Sequence, residues 1–183
     1  MLNKFAKLRH PLAINAEKFS DRKKRMFRFL SENPVGVLST VTPDGNPHGV
    51  VVYFVAGKDF VISFVTKTGT RKFDNLVHNG RVYLTVFEPQ TQAVVQVSGY
   101  AKQVADSTKV NAVAGGVLGA TQRAGQPGPT PLSKLEAGQY TAFDIIPYQV
   151  RMAVYARPDS GDYTELFESV ESFELEDEQQ TDF

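Results

Sequence analysis

"FVISFVTKTGTRKFDNLVHNGRVYLTVF", Phe60 to Phe87, changes its hydrophobic period twice, and that change organises the chain. "FVISFVT" is an apolar, β-branched and aromatic run of strand length. Hydroxyls, Gly69 and the adjacent cations Arg71 and Lys72 follow. In "TRKFDNLVHNG" the residues Phe73, Leu76 and Val77 share one helical face, and Asn79-Gly80 stops the helix. "RVYLTVFEP" then returns to a strand pattern. Upstream, "VGVLSTVT" (Val35 to Thr42) meets the turn "PDGNP", and "HGVVVYFVA" (His48 to Ala56) meets the turn "GKD". With "FVISFVT" they form a three-strand meander. Downstream lie the strand "AVVQVSGYAKQVA", a helix over "DSTKVNAVAGGVLGAT" weakened by Gly115 and Gly116, and one or two strands in "QYTAFDIIPYQVRMAVYA". Six antiparallel strands with turn-length connections and few helices predict a small β-barrel, not a parallel α/β sheet.

The 183 residues suit one domain, with 42% apolar and 22% charged residues. Cysteine is absent, so disulfides, thiol catalysis and thiolate metal sites are excluded. Three histidines (His10, His48, His78) without HxH or HExxH spacing argue against a metal site. No apolar run approaches membrane-span length and no signal-peptide core follows the first cations, so a cytoplasmic protein is expected. Net charge is zero, but nine Lys/Arg precede Ser31, and ten acids without a Lys or Arg follow Arg157. The N-terminal cations are better read as the solvated face of an amphipathic helix that Ser20 caps and Phe19, Met26, Phe27 and Leu30 anchor. A nucleic-acid role is not expected. In the acidic end, Phe167, Val170 and Phe173 fit a short docked helix or an edge strand, and the last residues are expected to be disordered. Three segments result: 1–34, helical and packed on the barrel; 35–157, the barrel; 158–183, an acidic extension. The Pro/Gly-rich loop over 122–138 is either a lid or a surface excursion.

Chemistry concentrates where strand gives way to helix. Thr66, Thr70, Arg71 and Lys72 surround free backbone N–H groups and the positive end of a helix dipole, as a phosphate monoester requires. The competing reading is a capped helix with solvated cations. Cations at that end are unfavourable without an anion, which weakens it. His48 opens an apolar strand after a turn; a ligand contact or an acid/base role is the alternative to the favoured reading of a solvated turn-edge histidine. No Ser/His/Asp set, GxSxG, GxGxxG or paired carboxylates occur. No catalytic base or nucleophile is identified, so any chemistry would come from the bound molecule.

The order "VLSTVTPDGNPHGVVVYFV", "FVISFVTKTGTRKFDNLVHNGRVYLTVF", "VVQVSGYAKQV" resembles the FMN-binding split barrel of the pyridoxamine 5′-phosphate oxidase-like superfamily. The most telling positions are Thr66, Thr70, Arg71, Lys72, Asn75, Leu76, Asn79, Arg81, Val82 and Leu84. The resemblance implies a six-stranded antiparallel split β-barrel with short flanking helices. It implies that Arg71 and Lys72 grip the FMN phosphate with Thr66 and Thr70. Val50, Val51, Val52, Val65, Thr66 and Lys67 would line the isoalloxazine ring and ribityl chain. Gln96 is a further flavin contact, although Val94 falls where that amide would be sought. It also implies a homodimer with flavin at the interface and an oxidoreductase or flavin reductase acting on a small-molecule substrate. Deazaflavin (F420) or haem in place of FMN, and a non-catalytic flavin-binding or sensing protein, are the alternatives. The true oxidase's lysine for substrate phosphate is replaced by Val55, and there is no tryptophan. A vitamin B6 enzyme is therefore not expected.

Overall fold

The computed structural model describes residues 19–125, 138–156 and 166–175. The 1–18 segment, most of the 122–138 loop and the acidic end beyond Leu175 lie outside them. The elements run α1 (Phe19–Glu32), β1 (Val35–Val41), β2 (Pro47–Ala56), β3 (Ile62–Lys67), α2 (Arg71–His78), β4 (Arg81–Glu88), β5 (Ala93–Gln103), α3 (Ser107–Arg123), β6 (Tyr140–Tyr155) and β7 (Phe167–Glu174). The strands hydrogen-bond in the order β3-β2-β1-β4-β5-β6-β7, and β3 also pairs with β6. That last pairing closes β1 to β6 into the expected six-stranded antiparallel barrel, with β7 added outside β6.

Alternating strand residues fill the interior: Leu38, Phe54, Ile62, Phe64, Leu84, Val86, Val95, Phe143, Ile145 and Met152 are fully buried. Each such side chain contributes about 1.5–3 kcal/mol by leaving water. Phe64 and Phe143 stack across β3 and β6 with centroids 5.9 Å apart. Gly36 is needed at its crossing, because a Cβ there would lie 2.9 Å from the Thr85 carbonyl oxygen.

Two local expectations change, and one open reading is decided. The described helix α1 begins at Phe19, so Ser20 lies inside it and not at its cap. Strand β3 begins at Ile62, because Phe60 adopts φ 65° in the preceding turn and turns its ring inward against Phe27 and Phe173. The 140–155 region is one long strand. Of the two readings of the acidic end, the strand holds: β7 pairs along β6 and directs Glu171 inward. There the carboxylate lies 3.6 Å from Arg22 and 3.7 Å from Arg25, so two α1 cations pair with β7. In α3 a Cβ on Gly115 would meet open space and one on Gly116 would sit at ordinary contact distance from Val55, so no close approach requires either glycine. Asp106 caps α3 by accepting from the Lys109 N–H at 2.7 Å. Lys109 Nζ in turn donates to the buried Asp144 carboxylate, which also accepts from Ser63 Oγ, tying α3 to β6 and β3.

Candidate functional site

Strands β2 and β3 pair over only three positions, Phe54↔Phe64 to Ala56↔Ile62. Beyond them the strands part. β2 continues along β1 through His48↔Thr40, while β3 runs along β6 to Lys67↔Tyr140. The gap between Val50–Tyr53 and Val65–Lys67 is a cleft of about 460 Å³, with α2 at one end and Val117 of α3 against it. Nine of the ten expected site residues line it: Val50, Val51, Val52, Val65, Thr66, Lys67, Thr70, Arg71 and Lys72. Gln96 does not. It lies on β5 in register with Thr85 and Arg151, and its side-chain oxygen accepts from the Arg151 guanidinium at 2.7 Å.

The α2 junction is built from its hydroxyls. Thr70 caps the helix, accepting from the Phe73 N–H at 3.4 Å, and donates to the Lys67 carbonyl at 2.9 Å. Thr66 Oγ1 is 3.3 Å from Thr70 Oγ1. Gly69 takes φ +69° to make the turn. Thr70 is thus first a cap, and the loop it fixes holds Lys67, Arg71 and Lys72 around one end of the cleft. No carboxylate among the described residues pairs with these three cations. Lys72 is half-buried with Nζ 5.9 Å from the centre of the Phe64 ring, and burial lowers its pKa from the ordinary lysine value. A concentration of uncompensated positive charge on a helix N-terminus is suited to an anion. The valines and Tyr53 make the rest apolar, suited to a flat ring system. No group of three or more His, Cys, Asp or Glu that could hold a metal occurs among the described residues.

Residues 23–145 match the family model described as pyridoxamine 5′-phosphate oxidase. The chain belongs to that family. Solved structures share the split barrel at low identity. A heme-binding protein from Mycobacterium smegmatis matches with TM-score 0.62 and 16% identity over 87% of this chain. The chain spans 60% of that protein's length. An F420 reductase matches with TM-score 0.54 and 23% identity, over 67% of this chain and 93% of its own. PhzG from Burkholderia lata 383, in complex with tetrahydrophenazine-1-carboxylic acid, matches with TM-score 0.59 and 13% identity, over 93% and 98% respectively. No curated protein matches the chain in sequence.

Within the family fold, Val55 stands where the resemblance places the oxidase lysine. It packs with Tyr53, Val65, Val110, Val113 and Val117 in an apolar cluster between the barrel and α3. The expected cleft residues do not include His48, for which a ligand contact is only the alternative reading, nor Tyr53 and Val117, yet all three line the cleft. The first two carried a usable signal, since they continue the strand through Val50–Val52. Val117 arrives on a distant helix and carried none.

Proposed function

We propose that this chain is a homodimeric FMN-binding flavoprotein, an oxidoreductase or flavin reductase acting on a small substrate. The observation that carries the reading is the set Lys67, Arg71 and Lys72, without a paired carboxylate, at one end of an apolar gap between parted strands. Arg71 can hold two phosphate oxygens as a fork, Lys72 adds a point charge, and free α2 N–H groups complete the grip. Val50 to Val52 and Val65 orient a ring system by contact and exclude water from it. A flavin bound there supplies the redox chemistry at its ring, and the chain contributes binding and orientation. Val55, packed in its apolar cluster, itself supplies no cation for a second phosphate, in keeping with a substrate other than pyridoxamine phosphate.

The dimer reading rests on a surface continuous with the cleft. Val51 is 57% exposed and borders the cleft; beside it across β1 is Val37 at 45%, and Phe87 on β4 is 48% exposed. A second copy seated on this face would cover the open side of the cleft. Substituting Val37→Glu with Phe87→Glu is expected to give monomers in sedimentation velocity and to loosen flavin retention. Retained dimers would place the interface elsewhere.

Mass spectrometry of the small molecule released on denaturation tests the cofactor, and FMN is the expected product. An absorbance maximum near 420 nm, or a Soret band, would instead favour the F420 or haem alternative. A colourless protein that fails to quench added FMN fluorescence would defeat the flavin reading. Bound flavin that no reductant or acceptor turns over would make it a binding or sensing protein. A cytoplasmic location follows from the same proposal, since reduced nicotinamide and flavin donors are found there.

A further inference from the structure

We infer that His48 is an additional anchor for the anionic end of the molecule in the cleft, donating a ring N–H to its phosphate. The inference rests on the proposed reading of the cleft as a phosphate-binding site. His48 lies on β2, opposite Thr40 of β1, and lines the cleft. Two hydrogen bonds fix its place relative to α2. Asn75 Nδ2 donates to Thr40 Oγ1 at 2.9 Å, and Thr40 Oγ1 donates to the His48 carbonyl at 3.2 Å. Asn75 and Thr40 are both buried, so this is a bolt through the barrel wall and not a surface contact. Asn75 sits one helical turn after Arg71 on the same side of α2. The His48 end of β2 is therefore held beside the first turn of α2, where Arg71 and Lys72 stand. Tyr53 and Val117 mark the opposite, apolar end.

The imidazole itself is incompletely satisfied. Its Nδ1 has no contact with solvent and no hydrogen-bond partner. A polar atom left so costs stability, and such atoms are rare in folded chains. The ring's two-fold torsion allows a half-turn that exchanges Nδ1 with a carbon without a change of shape. In the orientation found, Nδ1 is sealed from solvent and therefore from the open cleft, and Nε2 is the nitrogen left to meet a molecule there. In this cation-rich surrounding the partner that satisfies it is an oxygen of an anion, with the imidazole as donor.

Riboflavin lacks only the phosphate of FMN, so the two ligands separate phosphate contacts from ring contacts. His48→Phe preserves a flat ring and removes both nitrogens. Its FMN dissociation constant, read by fluorescence quenching, is expected to rise on the order of ten- to a hundredfold, while that for riboflavin changes less than about twofold. His48→Asn or His48→Gln, which place an amide N–H near Nδ1 or Nε2, should restore part of the loss and so identify the donor nitrogen. Unchanged FMN affinity in His48→Phe, or equal weakening of FMN and riboflavin, overturns the inference. Arg71→Ala with Lys72→Ala serves as the reference. If that variant loses FMN and His48→Phe does not, the phosphate site stands and His48 is excluded from it. If the wild-type chain binds FMN no better than riboflavin, the phosphate reading falls and the role of His48 falls with it.

Discussion

Helix α2 has a cleft at each end, and each is bordered by basic side chains. At its C-terminal end His78, Arg81 and Lys102 border a space of about 600 Å³ floored by Leu76, Ala101 and Phe143. At its N-terminal end Lys67, Arg71 and Lys72 border the smaller space, about 460 Å³. The two sets sit differently in the helix field. Cations near a helix C-terminus meet the negative end of the dipole and are stabilised by about 0.3–1 kcal/mol each, whereas those at the N-terminus are opposed by a similar amount. The C-terminal end is also closed by its own hydrogen bonds. The Asn79 N–H reaches the Asn75 carbonyl, and Asn79 Oδ1 accepts from the Arg81 N–H at 3.0 Å. The N-terminal end is closed as well, by the Thr70 cap, but its cations stand against the dipole without a paired carboxylate among the described residues, and burial works against Lys72. On the proposed reading, what separates the ligand site from a surface crevice is charge set against the helix dipole, not volume.

The most direct way to break this comparison is to remove cations from each end in turn. Arg71→Ala with Lys72→Ala deletes two charge-assisted contacts worth roughly 1.5–3 kcal/mol each, so FMN affinity should fall about 10²- to 10⁴-fold. Arg81→Ala with Lys102→Ala should change it less than about twofold. Comparable losses from both pairs, measured by flavin fluorescence titration, would show that the field of the whole surface matters and the local site does not.

A second contrast uses the glycines that flank α2. A Cβ on Gly80 would lie 2.8 Å from the Ala101 carbonyl oxygen, at the point where the Ala101 N–H bonds the Gly80 carbonyl. Gly80→Ala must push two strands apart and is expected to cost roughly 1–3 kcal/mol in chemical denaturation. Gly69 meets nothing within 4 Å but holds φ +69°. Gly69→Ala should cost about 1–2 kcal/mol through the backbone alone. Asn at position 69 should recover much of that loss, because its side chain tolerates the left-handed region, and Asn at position 80 should recover nothing. Equal behaviour at the two positions would mean that space, not φ, decides both.

The sequence made the α2 junction legible because its signals are local. Phe73 and Leu76 on one face and Asn79 as a stop lie within a few residues, each with a short-range cause, whereas Thr70's place as the cap emerges only from the structure. The strands were legible by period, and their count sufficed for a barrel. What local pattern could not supply was the gap. It exists because β3 leaves β2 after three pairs and joins β6, a partner far along the chain, and because α3 returns Val117 to the opening. The acidic end was ambiguous for a related reason. Phe167, Val170 and Phe173 recur every third residue, which matches neither strand nor helix cleanly. The structure resolves it by facing Glu171 inward to two arginines and leaving Val170 47% exposed. A charge placed inward inverts the apolar rule, and only the α1 partners reveal it. The same holds for His48, whose turn-edge position read as solvent until Asn75 and Thr40 tied it to α2.

The smallest effect expected is a pH dependence confined to the N-terminal end of α2. In the ligand-free chain, burial penalises the Lys72 ammonium and lowers its pKa from the ordinary lysine value. A phosphate beside it would offset that penalty and raise the value again. Between the lowered and the restored values, the bound state holds more protons than the free state, so binding takes up a proton. FMN affinity should therefore fall as pH rises through that window, by at most about tenfold per pH unit, and be flat below it. The phosphate's own second ionisation, near pH 6, lies well below the window. Stability of the ligand-free fold should move the opposite way. The unfolded chain holds the Lys72 proton to higher pH than the fold does, so the fold gains relative stability as pH rises through the window and loses it as pH falls. Lys72→Met should flatten the alkaline slope of FMN affinity, and Lys102→Met at the other end should leave it as in the wild type. A slope that survives Lys72→Met would assign the proton to a different group and remove the strongest electrostatic distinction between the two ends.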